Sequence, residues 1–99
     1  MSTISGTEVM YHAADKSGES KLFASICLNH LLGDLETKSK GTVVGDDIYI
    51  IRESEVPVAL VEVGFMTNQK ELERLCDSDY QSRAAKAMYD AIIEYLYEE

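Results

Sequence analysis

Long apolar runs are missing from this sequence. The longest, residues 56–61, is interrupted by Pro57 and falls far short of the roughly 18 residues of a membrane span. No membrane partner is expected. Basic residues are scarce as well: 9 Lys and Arg stand against 18 Asp and Glu, for a net charge of −9. Gripping a phosphate backbone requires Lys and Arg that release its counterions, so nucleic acid is not expected as a partner. The acidic residues gather at Asp46-Asp47, at Asp77 with Asp79 and at Glu98-Glu99, which reads as solvated surface. Cys27 and Cys76 have no CxxC spacing and read as small buried hydrophobes rather than a metal site or a disulfide framework. Residues 1–11 carry neither a basic cluster nor an apolar core, so no secretory signal is expected in this chain, although a secreted parent could carry one upstream. There is no GxSxG, no Gly-rich phosphate loop and no histidine beside either cysteine, which leaves nothing for nucleophilic catalysis.

What is present suits one small domain. A chain of 99 residues buries roughly 60–70% of the surface it exposes when unfolded, so its core is modest. Hydrophobic residues make up 45% and charged residues 27%, ordinary values for a globular chain.

Periodicity predicts the elements. Residues 6–12 alternate Thr7, Val9 and Tyr11 against Glu8 and Met10, a short and partly exposed strand. Residues 20–32 form an amphipathic helix. Lys21, Ser25 and Asn29 share one face, and Leu22, Phe23, Ile26, Cys27 and Leu31 spread over the other. Ser17 or Ser20 caps its start, and Gly33 supplies a left-handed end. Residues 34–47, with Gly41 and Gly45, read as a surface loop. Ile48-Tyr49-Ile50-Ile51 is a short strand of strong β-formers. Residues 58–63 form the next strand, apolar on both faces for four residues and therefore central and covered on both sides. Asn68 followed by Glu71, and Ser78 followed by Gln81, fit capping patterns before two helices. The last helix runs over residues 79–97, with Ala84, Met88, Ala91, Ile92 and Tyr95 as its apolar stripe. The order strand, helix, strand, strand, helix implies an α/β fold with some parallel pairing. Three strands and two main helices are few for an independent domain of that class.

Glu62 is the position that speaks of chemistry. It follows a buried run and precedes Gly64. An unpaired carboxylate costs several kcal/mol to bury, and strand ends of α/β sheets open onto the crevices where catalytic groups sit. The plainer alternative is that Glu62 emerges at the strand end and meets solvent or a basic side chain such as Arg52.

The stretch Pro57-Val58-Ala59-Leu60-Val61-Glu62-Val63-Gly64-Phe65-Met66-Thr67-Asn68 resembles the signature of the zinc-dependent N-acetylmuramoyl-L-alanine amidases of peptidoglycan. Gly6-Thr7-Glu8-Val9-Met10-Tyr11, Ile48-Tyr49-Ile50-Ile51-Arg52-Glu53, and Ser78-Asp79-Tyr80-Gln81 with Ala84-Ala85-Lys86-Ala87 resemble further parts of that family in the same order. The resemblance implies a partial three-layer sheet-and-helix fold, residues 1–99 being the carboxyl-terminal part of a catalytic domain. It implies Glu62 as the catalytic carboxylate, peptidoglycan as the substrate, and a cell-wall or extracellular setting. It also implies, for the intact family, one zinc held by two histidines and a glutamate, which polarises the amide carbonyl and activates water. Those three ligands precede the segment matching residues 6–11, so no metal is expected in this chain alone. His12 and His30 do not replace them. Arg52 is a candidate to steady the Glu62 carboxylate or to meet an acidic substrate group, and an ordinary surface arginine is the alternative.

Two readings follow: part of a peptidoglycan hydrolase, inactive by itself, or a metal-free truncated fold that binds itself or a partner. The strand at residues 6–12 is expected to expose an edge that a missing amino-terminal half would cover. A homo-oligomer or association with such a half is therefore expected.

Overall fold

The computed structural model describes residues 2–98. The elements in order are β1 (Thr7–Tyr11), α1 (Glu19–Asp34), β2 (Ser39–Val44), α2 (Tyr49–Arg52), β3 (Ala59–Glu62), α3 (Gln69–Leu75) and α4 (Ser78–Tyr97). The expected α/β class holds. The sheet order is β2-β1-β3, with β1 parallel to β2 and antiparallel to β3. This corrects two expectations. The strand at residues 6–12 is central rather than an edge, and the strand around residues 58–63 is an edge rather than central. The strand at residues 58–63 looked doubly covered because four of its residues in a row are apolar, yet every residue of β3 is only half-buried.

β2 lies where a loop was expected. Its polar start, Ser39-Lys40-Gly41, has no alternation to read, and its strand geometry comes from pairing with β1. The register slips between Thr7 and Val9, where three residues of β2 pass two of β1. Gly41 sits in that slip with φ 80°, a conformation that other residues resist. Gly6, with φ 114°, lies so close to β2 that a Cβ would stand 2.8 Å from the Lys38 carbonyl oxygen.

The stretch Ile48–Ile51, expected as a strand, is instead the turn of helix α2. Context overrides β-propensity here because one side chain alone has a place to go. Ile51 is fully buried, while Tyr49 and Ile50 are exposed.

Helix α1 meets all three strands and α4, so it is buried on two sides. Ala24, Ile26, Cys27, Leu28 and Leu31 are buried, and Leu22 is more exposed than its wheel position promised. At its start Asp15 accepts from the Ser20 amide at 3.1 Å, and the Ser17 hydroxyl accepts from the Glu19 amide at 3.1 Å. The Ser17 hydroxyl donates to Asp15 at 2.6 Å, the main cause holding the Asp15 carboxyl down at about 2. Ser20 is no cap; its buried hydroxyl accepts from the Val58 amide at 3.0 Å and ties α1 to β3. Gly33 does not end the helix. The chain turns at Leu35, which buries its side chain and whose amide bonds back to the Leu31 carbonyl.

Helix α4 is capped by Asp77, one residue ahead of the expected Ser78; its carboxylate accepts from the Asp79 amide at 2.8 Å. The buried face of α4 is Tyr80, Ala84, Ala87 and Ala91. The expected stripe is therefore rotated: Ala87 replaces Ile92, which is 44% exposed. Alanines at the contact let α4 approach α1 closely, and Phe23 packs on Tyr95 with ring centroids 5.0 Å apart.

Candidate active site

Side chains alternate across a strand. Val9, Tyr11, Ala59, Val61 and Val63 belong to the core on the α1 side of the sheet or pack against it. Glu8, Met10, Leu60 and Glu62 therefore share the opposite face. α2 reaches only one end of that face, where a Cβ at Gly45 would collide with Ile51 and press on Met10. The rest of the face carries no helix among the described residues, and Glu62 stands on it at the last residue of β3.

Glu62 lies directly across the ladder from Glu8. Opposed residues in an antiparallel pair have Cβ atoms about 4.5–5.5 Å apart, and two like charges so placed repel. Partial burial raises the Glu62 pKa, and the Glu8 carboxyl facing it raises it further. Glu62 is thus a carboxylate with increased proton affinity on an open sheet face, which suits a group that takes a proton from water and gives it up again.

The chain around Glu62 is pinned. The Thr7 hydroxyl donates to the Val63 carbonyl at 2.8 Å. Glu71, buried at 4% exposure, accepts from the Phe65 amide at 2.9 Å and from the Gly6 amide at 3.1 and 3.2 Å. A single buried carboxylate thereby joins the start of β1 to the turn after β3. Gly64 lies against it, since a Cβ there would stand 3.4 Å from Glu71 Oε1. Asn68 caps α3 by accepting from the Glu71 amide at 3.2 Å. The residues that follow Glu62 in the signature therefore hold backbone in place.

Sequence reasoning singled out Glu62 and gave no role to two acids that lie near it, Glu71 and Glu8. Glu71 was visible only as the third residue of a capping pattern. Glu8 was visible only as the polar half of an alternation, because its partner depends on a strand pairing that one sequence does not display.

Arg52 is not brought to Glu62. Its expected place rested on a strand at residues 48–51, and that stretch is α2. The guanidinium donates to the Asp46 carbonyl at 3.2 Å, lies 3.6 Å from Glu53 and sits over the Tyr49 ring. Asp46 in turn accepts from the Ala13 and Ala14 amides, which lower its carboxyl pKa. This cluster sits beyond Tyr11, whose partner on β3 is Ala59. Glu62 is three residues further along, about 10 Å of strand.

His12 lies 3.8 Å from Asp46, and His30 bridges α1 to α4 with its ring 2.9 Å from Glu94. Neither joins Glu62. Among the described residues no group of three His, Cys, Asp or Glu side chains is placed to hold a metal ion, so the residues present do not make a zinc site. No helix among them is long and apolar enough to cross a membrane.

The model of the N-acetylmuramoyl-L-alanine amidase family matches residues 1–94. The chain belongs to this family. The amidase similarity extends to individual proteins. The uncharacterized protein YqiI of Bacillus subtilis is 36% identical over 96 residues, covering 96% of this chain and 46% of its own length. An uncharacterized cell wall amidase of Bacillus anthracis is 32% identical over 96 residues, covering 91% of this chain and 18% of its own. The catalytic domain of the amidase CwlV from Bacillus (Paenibacillus) polymyxa superposes with a TM-score of 0.86 at 34% identity, over 97% of this chain and 51% of that domain. The chain thus spans less than half the length of these curated relatives and about half of a solved amidase catalytic domain.

Proposed function

We propose that this chain is the carboxyl-terminal part of a peptidoglycan amidase catalytic domain, acting on the amide bond between N-acetylmuramic acid and L-alanine. The observation that carries the reading is Glu62, a carboxylate of raised proton affinity at the end of a pinned strand, inside a stretch that matches the family. In this reading Glu62 draws a proton from the attacking water and passes it to the leaving amine of L-alanine. β3 and the Glu71 anchor fix where the carboxylate stands. Arg52 holds the turn around Asp46. The metal chemistry belongs to an amino-terminal half that would supply the zinc ligands, and no step is assigned to it here. The setting that fits is the cell wall.

The test is a hybrid in which the amino-terminal half of a relative such as the CwlV catalytic domain precedes residue 1. The chain alone is expected to release no peptide stems from peptidoglycan, and the hybrid to release them. Glu62→Gln in the hybrid is expected to keep fold and zinc and to lose about 10²–10⁴-fold in turnover, the usual range for removing a general base. A Gln hybrid with near-parental turnover would make Glu62 structural.

A second reading is a truncated amidase fold that associates with itself or with a partner half. It is favoured by the open face of the sheet and by β2 and β3, each of which has one edge unpaired among the described residues. Free edges recruit strands, and a typical specific interface buries on the order of 1,600 Å². A dimer is expected in sedimentation, opposed by the charge of −9 less strongly as salt screens it. A monomer with a cooperative melt would count against this second reading.

A further inference from the structure

The catalytic reading uses Glu62 and leaves its neighbour without a role. Glu8 stands directly opposite Glu62 in the β1–β3 ladder, so the two carboxyl groups face each other on the open side of the sheet. A strand pair gains nothing in stability from facing two acids, since opposed like charges destabilise it. A Thr or Gln at either place would pair without that cost. We propose that Glu8 is a positioning residue of the site, which faces Glu62 across the β1–β3 ladder and holds its carboxyl in place by sharing a proton with it.

The surroundings leave this role to Glu8. On β2 the nearest cation is Lys40, whose ammonium sits over the Phe65 ring at 5.8 Å. On the α3 side, Glu71 is taken up by the Gly6 and Phe65 amides. Helix α1 packs on the other face of the sheet. Among the described residues Glu8 is the one charged side chain that raises the proton affinity of Glu62, adding to the effect of burial. When two acids share a proton, removing one charge lowers the proton affinity of the other, and here leaves the part that burial raises.

This role deepens the reading of Glu62 as the base, so its test has to stand apart from turnover. The side-chain carboxyl carbons of the intact 99-residue chain are followed by NMR across the acid range. In the parent, Glu62 is expected to titrate above the usual glutamate range, in a curve with two inflections. Glu8→Gln and Glu8→Thr, two neutral replacements that suit a strand, are each expected to move its midpoint down and leave one inflection. Glu8→Asp keeps the charge on a shorter arm and is expected to fall between. A parental Glu62 that titrates in the usual range, or a midpoint unmoved by both neutral replacements, would overturn the role of Glu8. In the catalytic hybrid the acid limb of the rate profile should shift down with Glu8→Gln. If Glu62→Gln leaves hybrid turnover intact while the NMR coupling is present, the catalytic reading fails and the pairing stands.

Discussion

The two faces of the sheet are made by the same strands and behave oppositely. On one face Val9 is fully buried, and Tyr11, Val61 and Val63 press on α1, which in turn packs on the alanines of α4. On the other, Met10 and Leu60 are half-buried between Glu8 and Glu62, with Ile51 reaching only the far end. The first face has the composition of a closed core. The second is too apolar in its middle for a finished surface and too acidic at one end for a finished core. The solved CwlV catalytic domain is about twice the length of the region it matches here. On the proposed reading, stability and chemistry are thus divided by strand alternation, one residue apart.

The sharpest way to break that division is by paired truncations. Leu31 is fully buried between the sheet and α4, so Leu31→Ala should cost about 2–5 kcal/mol, the usual range for a core leucine. For a domain of this size, 1 kcal/mol moves the melting temperature by about 4–8 °C, and the variant should lose most of its cooperative melt. Leu60→Ala, on the open face, should cost well below that in the isolated chain and more once an amino-terminal half covers it. Equal losses from the two truncations would mean that both faces are already closed.

Glu71 tests the join between the faces. Its carboxylate answers the Gly6 and Phe65 amides from a buried position. Glu71→Ala leaves these donors without a partner, at about 1–3 kcal/mol for each buried group left unsatisfied. Hydrogen exchange should accelerate at Gly6 and Phe65 before it does in α4. If exchange at these two amides is unchanged, the carboxylate is not what holds the turn.

How much of this was legible follows from what one sequence can display. Helix signals placed α1 and α4 because they are local, but α1 is buried on two sides rather than along one amphipathic face. Glu62 stood out because an apolar run ended in a carboxylate just before Gly64. β2 was not, since Ser39-Lys40-Gly41 becomes a strand only beside β1. Ile48–Ile51 was misread because strong β-formers turn helical when only Ile51 finds a pocket. Glu8 acquires meaning from its register with Glu62, and Glu71 from two amides far apart in sequence. The residues seen in advance are those whose neighbours in sequence explain them. Those missed are explained by neighbours in space.

The smallest expected effect separates the acids from the scaffold. Raised proton affinity in the folded chain means that folding favours protonated Glu62. The stability this contributes is fully present below the unfolded-state value, near the ordinary glutamate range, and is lost as pH rises through the folded-state value. At neutral pH Glu62 and Glu8 then repel across the ladder, an effect of roughly 0.2–1 kcal/mol for opposed pairs of this kind. Glu62→Gln removes that repulsion and keeps the shape. In the isolated chain it should leave the melting temperature almost unchanged in acid and raise it slightly at neutral pH. Melts of parent and variant taken on both sides of the carboxylate range read the difference directly. A variant less stable at neutral pH than the parent would mean that charged Glu62 has an attractive partner, and the open face would then need a cation in place of a proton. The expected opposite sign, a stabilised protein that is a poorer catalyst in the hybrid, is what a carboxylate kept for chemistry rather than for folding should give.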